Sequence, residues 1–338
     1  MRIGARAAVL VLLLVCGMSL FAGFIAPYDY AEQDRQHPFA PPTRVRFVDA
    51  DGHLHRWPFI YGWASKESAY AEYEADPSQR IELSFFARGG EYKLFGFVRC
   101  TRHLFGVPFP ARIFLLGTDD YGRDQFSRMI WGGRISFSAG LVAAAATLGL
   151  GVLLGTISGY FGGLVDSSLM RVAEVFLAVP WLYLLFAVRA FLPLHVSPSL
   201  VFLLLVGVIG ITGWARPARL IRGVVLAAKQ EKYILAARGL GAGHVHILRR
   251  HILPQTTGVC LTQAALLIPQ YILAEVTLSF LGLGVAEPAP SWGNMLASLQ
   301  QYHVLASYWW MLAPSLVLIP VCWACYTLAD FAHERLES

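Results

Sequence analysis

Charge is scarce in this chain. Asp, Glu, Lys and Arg make up 14% of its 338 residues, against about 25% in an average soluble domain. Lysine is scarcer still and stands only at Lys66, Lys93, Lys229 and Lys232. None of these follows a glycine, so no G-x4-G-K-[ST] phosphate loop exists and no ATP site of that kind is expected. Cysteine is confined to Cys16, Cys100, Cys260, Cys322 and Cys325, all but Cys100 in apolar runs, and no disulfide framework is implied. The low charge and the lack of simple repetition exclude disorder, collagen and coiled coil. What the chain has instead is apolar surface. Hydrophobic residues make up 56% and mean hydropathy is +0.52. A polytopic, helical membrane protein is the default reading, with the lipid bilayer as its first partner.

A span needs about 20 mostly apolar residues. Runs with few or no charges place six of them, the third carrying Glu174 and Arg189 near its ends and the fifth Glu275. They are residues 7–28, 135–165, about 172–192, a fourth centred on 200–211, about 257–281 and about 308–328. The first reads as an uncleaved helix. Its apolar run is longer than a signal-peptide core, and no A-x-A site follows.

The net charge of +5 is a weak nucleic-acid signal, and in a membrane protein it more often marks cytoplasmic loops. Residues 214–251 hold Arg216, Arg219, Arg222, Lys229, Lys232, Arg238, Arg249 and Arg250 against Glu231 alone. The positive-inside rule puts that loop, and with it both termini, in the cytoplasm. No nucleic-acid partner is expected.

Three parts follow: an N-terminal span (1–28), a segment facing outside (29–116) and a five-span core (117–338) with its loop at 214–254. The middle segment is mixed in charge. Arg44–Val48, Ile81–Phe86 and Tyr92–Val98 read as strands, with turns at Asp51-Gly52 and Gly89-Gly90. It is either a docking surface for an external partner or an insertion capping the bundle. The second is favoured, because no chemical motif stands out within it. In the second span, Ala143, Thr147, Gly151, Gly155, Gly159 and Gly163 fall four apart, a stripe that lets another helix approach closely.

The loop contains an amphipathic helix. Over residues 231–238, Tyr233, Ala236, Ala237 and Leu240 share one face, Gly239 and Gly241 end the helix, and Pro254 opens the next span. Small residues on that face suit insertion into a partner's groove. The segment resembles the E-A-A-x3-G-x9-I-x-L-P loop of ABC importer permeases, matching at Ala236, Ala237, Gly241, Leu253 and Pro254. Leu235 stands where the family has Glu, and His251 where it has Ile. Leu116-Gly-Thr-Asp-Asp-Tyr-Gly-Arg-Asp124, Ser127–Ser136, Leu278–Gly284 and Pro290-Ser-Trp-Gly-Asn-Met295 are similar to motifs of oligopeptide/dipeptide-type permeases. The order of parts resembles the C-type permease of such importers, and the long middle segment is similar to that of the microcin C/peptide subgroup.

The resemblance implies an all-α type I permease fold with a small β-rich insertion, in a bacterial inner membrane. It implies a non-catalytic subunit that pairs with a homologous second permease, two ABC ATPase subunits and an external solute-binding protein. The helix of Tyr233, Ala236, Ala237, Leu240, Gly241 and Pro254 would dock on an ATPase. ATP would be bound by those partners, and no cofactor is expected here.

Other chemistry is set aside. Cys322-Trp-Ala-Cys325 lies in an apolar span and reads as a packed face. His244, His246 and His251 lack a further ligand at metal spacing, and Asp119, Asp120 and Asp124 read with Arg123 and Arg128 as a capped interfacial helix. Glu174, Arg189 and Glu275 lie in or beside spans and are candidates for a polar translocation path, an interhelical pair or interfacial anchors. Two rivals remain. A secondary transporter acting alone lacks visible internal repeats. A membrane-embedded enzyme or receptor lacks a catalytic cluster in the outer segment.

Overall fold

A computed structural model describes residues 3–66, 72–191 and 198–337. The chain forms two compact units. Unit one is Met1–Leu12, Phe137–Glu275 and Pro320–Ser338, and unit two is Leu13–Ser136 and Val276–Ile319. In chain order the α-helices are α1 (Ile3–Leu20), α2 (Ala22–Ile25), α3 (Gln125–Phe161), α4 (Gly163–Ala178), α5 (Trp181–Phe191), α6 (Pro198–Gly213) and α7 (Ala215–Ala228). They continue with α8 (Lys232–Gly239), α9 (His244–Ile247), α10 (Leu253–Phe280), α11 (Trp292–Ala297), α12 (Tyr302–Ser307) and α13 (Ala313–Glu337).

Among the described residues, five helical stretches are long and apolar enough to cross a membrane: Ile3–Leu20, Gln125–Phe161, Phe202–Ala228, His244–Phe280 and Trp309–Ala332. Gly163–Ala178 with Trp181–Val188 makes a sixth when the bent pair is taken as one span. The chain is therefore an all-α, polytopic membrane protein with a small β-rich insertion.

Two span limits differ from those read in the sequence, each for a local reason. The span read at 172–192 is a pair bent by 79°. Pro180 has no N–H to continue α4, and it drives Val179 to extended backbone at φ −81°, ψ 121°. The span read at 135–165 is the 37-residue helix α3, which starts well before its apolar run. Asp124 caps its N-terminus, accepting from Ser127 N at 2.8 Å and Ser127 Oγ at 2.6 Å. It ends at Gly162 and Gly163, both left-handed at φ +70° and +56°, where a side chain would be strained. Gly163 therefore opens α4 and leaves the four-spaced stripe.

Between α2 and α3, strands β1 (Arg46–Val48), β2 (Leu54–Lys66) and β3 (Glu72–Glu82) form an antiparallel sheet in that order. β4 (Ser84–Phe85) pairs with β7 (Phe105–Gly106), and β5 (Arg88–Leu94) with β6 (Val98–Arg102). The Asp51-Gly52 turn forms, with Gly52 at φ +85° and Asp49 Oδ1 accepting from Asp51 N and His53 N. The Gly89-Gly90 turn does not form. Both residues lie inside β5, and the His103 ring crosses over Gly89, where a Cβ would meet it at 2.6 Å. The reversal comes at Phe95-Gly96, with φ of +52° and +85°, and interrupts the strand read at 92–98.

Candidate functional site

In unit one, α8 is a short helix with a buried root. Ile234 is fully buried among Tyr160, Ile221, Val225, Ala228, Ile247 and Ile252, burial worth about 1.5–3 kcal/mol for such a side chain. The other side faces outward. Tyr233 is 44% exposed, Leu235 53% and Leu240 90%. Ala236 is exposed and Ala237 partly buried. The helix ends in a Schellman motif. Ala242 N donates to Ala237 O and Gly241 N to Arg238 O, each at 3.0 Å. That motif needs the left-handed φ of +84° at Gly241, which explains a glycine there. Downstream, Pro254 cannot donate to Arg250, and the backbone widens to a π-turn over Leu248–Ile252 before α10 begins.

The platform beneath α8 is tied to the end of α3. Arg222 donates to Asp166 through Nε and Nη2 at 2.5 and 2.6 Å, and Ser158 Oγ donates to the same carboxylate. Lys229 Nζ donates to Gly159 O at 3.0 Å, a cation on a helix C-terminus. Tyr160 Oη bonds His244 Nδ1 at 2.8 Å, and Arg238 lies over the Tyr160 ring. Gly151, Gly155 and Gly159 let α7 approach. A Cβ on them would fall 2.8 Å from Pro217 Cβ, 2.5 Å from Ala218 O and 2.9 Å from Arg222 O. At Gly163 a Cβ would meet nothing within 4 Å, in keeping with its place beyond the break.

The charges read in the spans separate. Glu275 is fully buried in α10. The ion pair of Glu174 lies within its own helix, to Arg171 at 3.3 Å, with both side chains exposed. The Arg189 side chain lies outside the described residues.

Unit two holds a buried polar network around residues 117–128. Asp119 Oδ2 accepts from Arg123 Nε at 2.7 Å, and Asp119 Oδ1 from Tyr121 N and Arg123 N at 2.9 Å. Arg123 also pairs with Glu287, and Arg128 Nη2 donates to Glu287 Oε1 at 2.9 Å. Burial pushes the Asp124 carboxyl up to about 7, against the bonds from Ser127 that lower it. Gly122 is obligatory, since a Cβ would fall 1.8 Å from Asp34 O. The fully buried Trp292 donates Nε1 to Met129 O at 3.0 Å, and Ser291 with Asn294 forms a capping box for α11.

Sequence reasoning singled out the acids and arginines of 119–128 but not Glu287, which a turn-rich stretch hid. It also passed over Ile234, Asp166 and the Tyr160–His244 bond. The apolar residue opposite the exposed face of α8 was the available signal for Ile234. Asp49, Asp51 and His53 place ligand atoms within 4.8 Å of one another. Bonds from His55 and then from backbone amides already occupy Asp49 and hold its carboxyl down to about 2, so the group reads as turn chemistry.

Residues 151–338 match the family described as binding-protein-dependent transport system inner membrane component. Residues 4–42 match the N-terminal TM domain of oligopeptide transport permease C. A dipeptide transport system permease protein of Bacillus subtilis is 36% identical over 68% of this chain and 69% of its own length. An oligopeptide transport system permease protein of the same organism is 38% identical over 66% and 68%. A di/tripeptide transport system permease protein of Pseudomonas aeruginosa is 29% identical over 99% of the chain and 88% of its own, so that match takes in the β-rich insertion. With most of its helical core inside that family's match, the chain belongs to the binding-protein-dependent transport system inner membrane components.

Proposed function

We propose that this protein is the C-type permease subunit of an ATP-driven ABC importer for peptides or similar small solutes. It forms half of the translocation pathway beside a homologous permease. Two ATPase subunits bind and hydrolyse ATP, and an external binding protein delivers the solute. The basic loop and both termini face the cytoplasm, and the β-rich insertion faces outside.

One observation carries the coupling role: α8 buries Ile234 and leaves Tyr233, Ala236 and Leu240 exposed. A helix rooted at one residue and apolar on its free side suits a cleft in a partner. Leu235, exposed where the resembling loop has Glu, extends the apolar contact. Ala237 and Gly241 set the helix end, and Pro254 sets the start of α10. Movement of α8 passes into α7, and from α7 into α4 through Arg222–Asp166 and into α3 through Lys229–Gly159. Glu275, buried in α10, lies on the translocation path or in an interhelical pair.

The test is ATP-driven uptake by vesicles carrying the whole complex. Ala236→Trp combined with Leu240→Asp should abolish uptake while the chain still assembles in the membrane. Undiminished uptake would remove the coupling role. Ion-gradient-driven uptake by this chain alone would overturn the class.

A further inference from the structure

One face of the three-stranded sheet in unit two floors a pocket of about 530 Å3, within the range of small-ligand sites, about 300–1,000 Å3. Strand alternation puts Tyr61 and Trp63 of β2 on the same face. The register sets Arg46 opposite Phe59 and Ala75 opposite Trp63, and Tyr73 stands two residues before Ala75. All of these therefore share that face. Trp63 meets Tyr73 edge-on, with ring centroids 6.0 Å apart. The exposed Trp309 stands at the rim with Pro41 and Pro42. The walls are held in place. Thr43 N donates to Phe114 O at 2.7 Å, Phe114 N donates to Thr43 Oγ1 at 3.0 Å, and Tyr73 Oη donates to Pro38 O at 2.8 Å.

The pocket also carries positive charge that its surroundings leave unneutralised. Arg44 and Arg46 both line it, the first exposed and the second half-buried. Among the described residues neither forms an ion pair, and Arg46 instead lies over the Tyr61 ring, 5.5 Å from its centroid. Stacking uses the face of a guanidinium and leaves its N–H edge for an anion. The acid bordering the pocket, Glu74, pairs in register with Ala64, so alternation turns its side chain to the other face. Asp34, near Tyr73, is held by Arg112 Nε at 3.3 Å and His37 Nδ1 at 2.8 Å.

Aromatic walls beside two guanidinium groups call for a small anion joined to an apolar group. The last residue of a peptide offers both from one Cα. We propose, resting on the peptide-importer reading, that this pocket holds the C-terminal end of a peptide solute. Arg44 and Arg46 take the α-carboxylate, for which the planar N–H fork is suited. Tyr61, Trp63 and Tyr73 take an aromatic or large apolar side chain.

A photoreactive tripeptide, Ala-Ala-(p-benzoyl)Phe, tests this on the whole complex in phosphatidylcholine nanodiscs, without the external binding protein. Wild type should form an adduct that maps to Tyr61, Trp63, Tyr73 or Trp309. The same peptide with an amidated C-terminus should label about tenfold less, having lost a charge-assisted contact. Arg44→Gln with Arg46→Gln should lower labelling by the acid to the level of the amide. Equal labelling by acid and amide, or an adduct elsewhere on the chain, would overturn the site. So would loss of the adduct on adding phosphatidylglycerol, which would give the pocket to a lipid headgroup. ATP-driven uptake of Ala-Ala-Phe is read in parallel. Uptake without this labelling would overturn the site and leave the importer reading standing. Carboxylate-dependent labelling without uptake would do the reverse.

Discussion

Two short segments of this chain use their side chains in opposite ways. Residues 117–128 turn polar groups inward: Asp119, Arg123, Asp124 and Arg128 are all nearly inaccessible, with Asp119, Arg123 and Arg128 met by one another and by Glu287, and Asp124 by Ser127. Helix α8 turns apolar surface outward and buries Ile234. Each inverts the usual distribution. The first is largely explained from within, because Asp119, Arg123 and Arg128 pair with one another and with Glu287, and Ser127 bonds Asp124. The second is not: Leu235 and Leu240 are largely exposed, and Tyr233, although bonded by Gln255 and beside the His251 ring, is still 44% exposed. The contrast separates a segment that holds the fold from one that waits for another molecule.

The largest effect should come from breaking the inward segment. Arg123→Ala leaves the buried Asp119 carboxylate with only the more distant Arg128, at 3.6 Å, and should cost about 3 kcal/mol. Thermal unfolding in detergent would read it, and a loss below about 1 kcal/mol would reduce the network to decoration. The outward segment should behave in reverse. Ala236→Trp with Leu240→Asp should lower uptake at least tenfold and shift unfolding little, because both residues are exposed.

A pH series sharpens the same contrast. The Asp124 carboxyl is raised to about 7, above its ordinary range near 3.9. Its contribution to stability is fully present below about pH 4 and is lost as pH rises through about 7. Asp124→Asn keeps an acceptor for Ser127 and cannot ionise. It should gain on wild type by a few degrees of Tm between pH 5 and pH 8, and a constant difference would contradict the burial effect. The smallest change is expected at the platform under α8. Asp166→Asn loosens a partly exposed pair with Arg222 and should cost about 1 kcal/mol. Its effect on uptake per assembled complex should exceed its effect on stability.

The spans were legible because hydrocarbon demands long uncharged runs, and four of the six carry no charge within the bounds read. The bend at Pro180 was less so, since a proline beside a span marks a bend without fixing its angle. Gly151, Gly155 and Gly159 announced a close helix approach, while Gly163 kept the spacing but not the helix, because a period of four survives a break in the backbone. The exposed face of α8 followed from i, i+3 and i+7 periodicity. Its root at Ile234 and the Arg222–Asp166 tie did not, because long-range partners leave no local pattern. For the same reason Glu287 gave no sign of its arginines.

Helix α3 has one further consequence. Its 37 residues extend about 55 Å. From Ile135 onward it is uncharged, offering about 40 Å of apolar length to about 30 Å of hydrocarbon. Hydrophobic mismatch of that size is absorbed by tilt or by a thickened bilayer around the helix. Lipid chain length thus acts as a mechanical load on the helix whose far end carries the α8 platform.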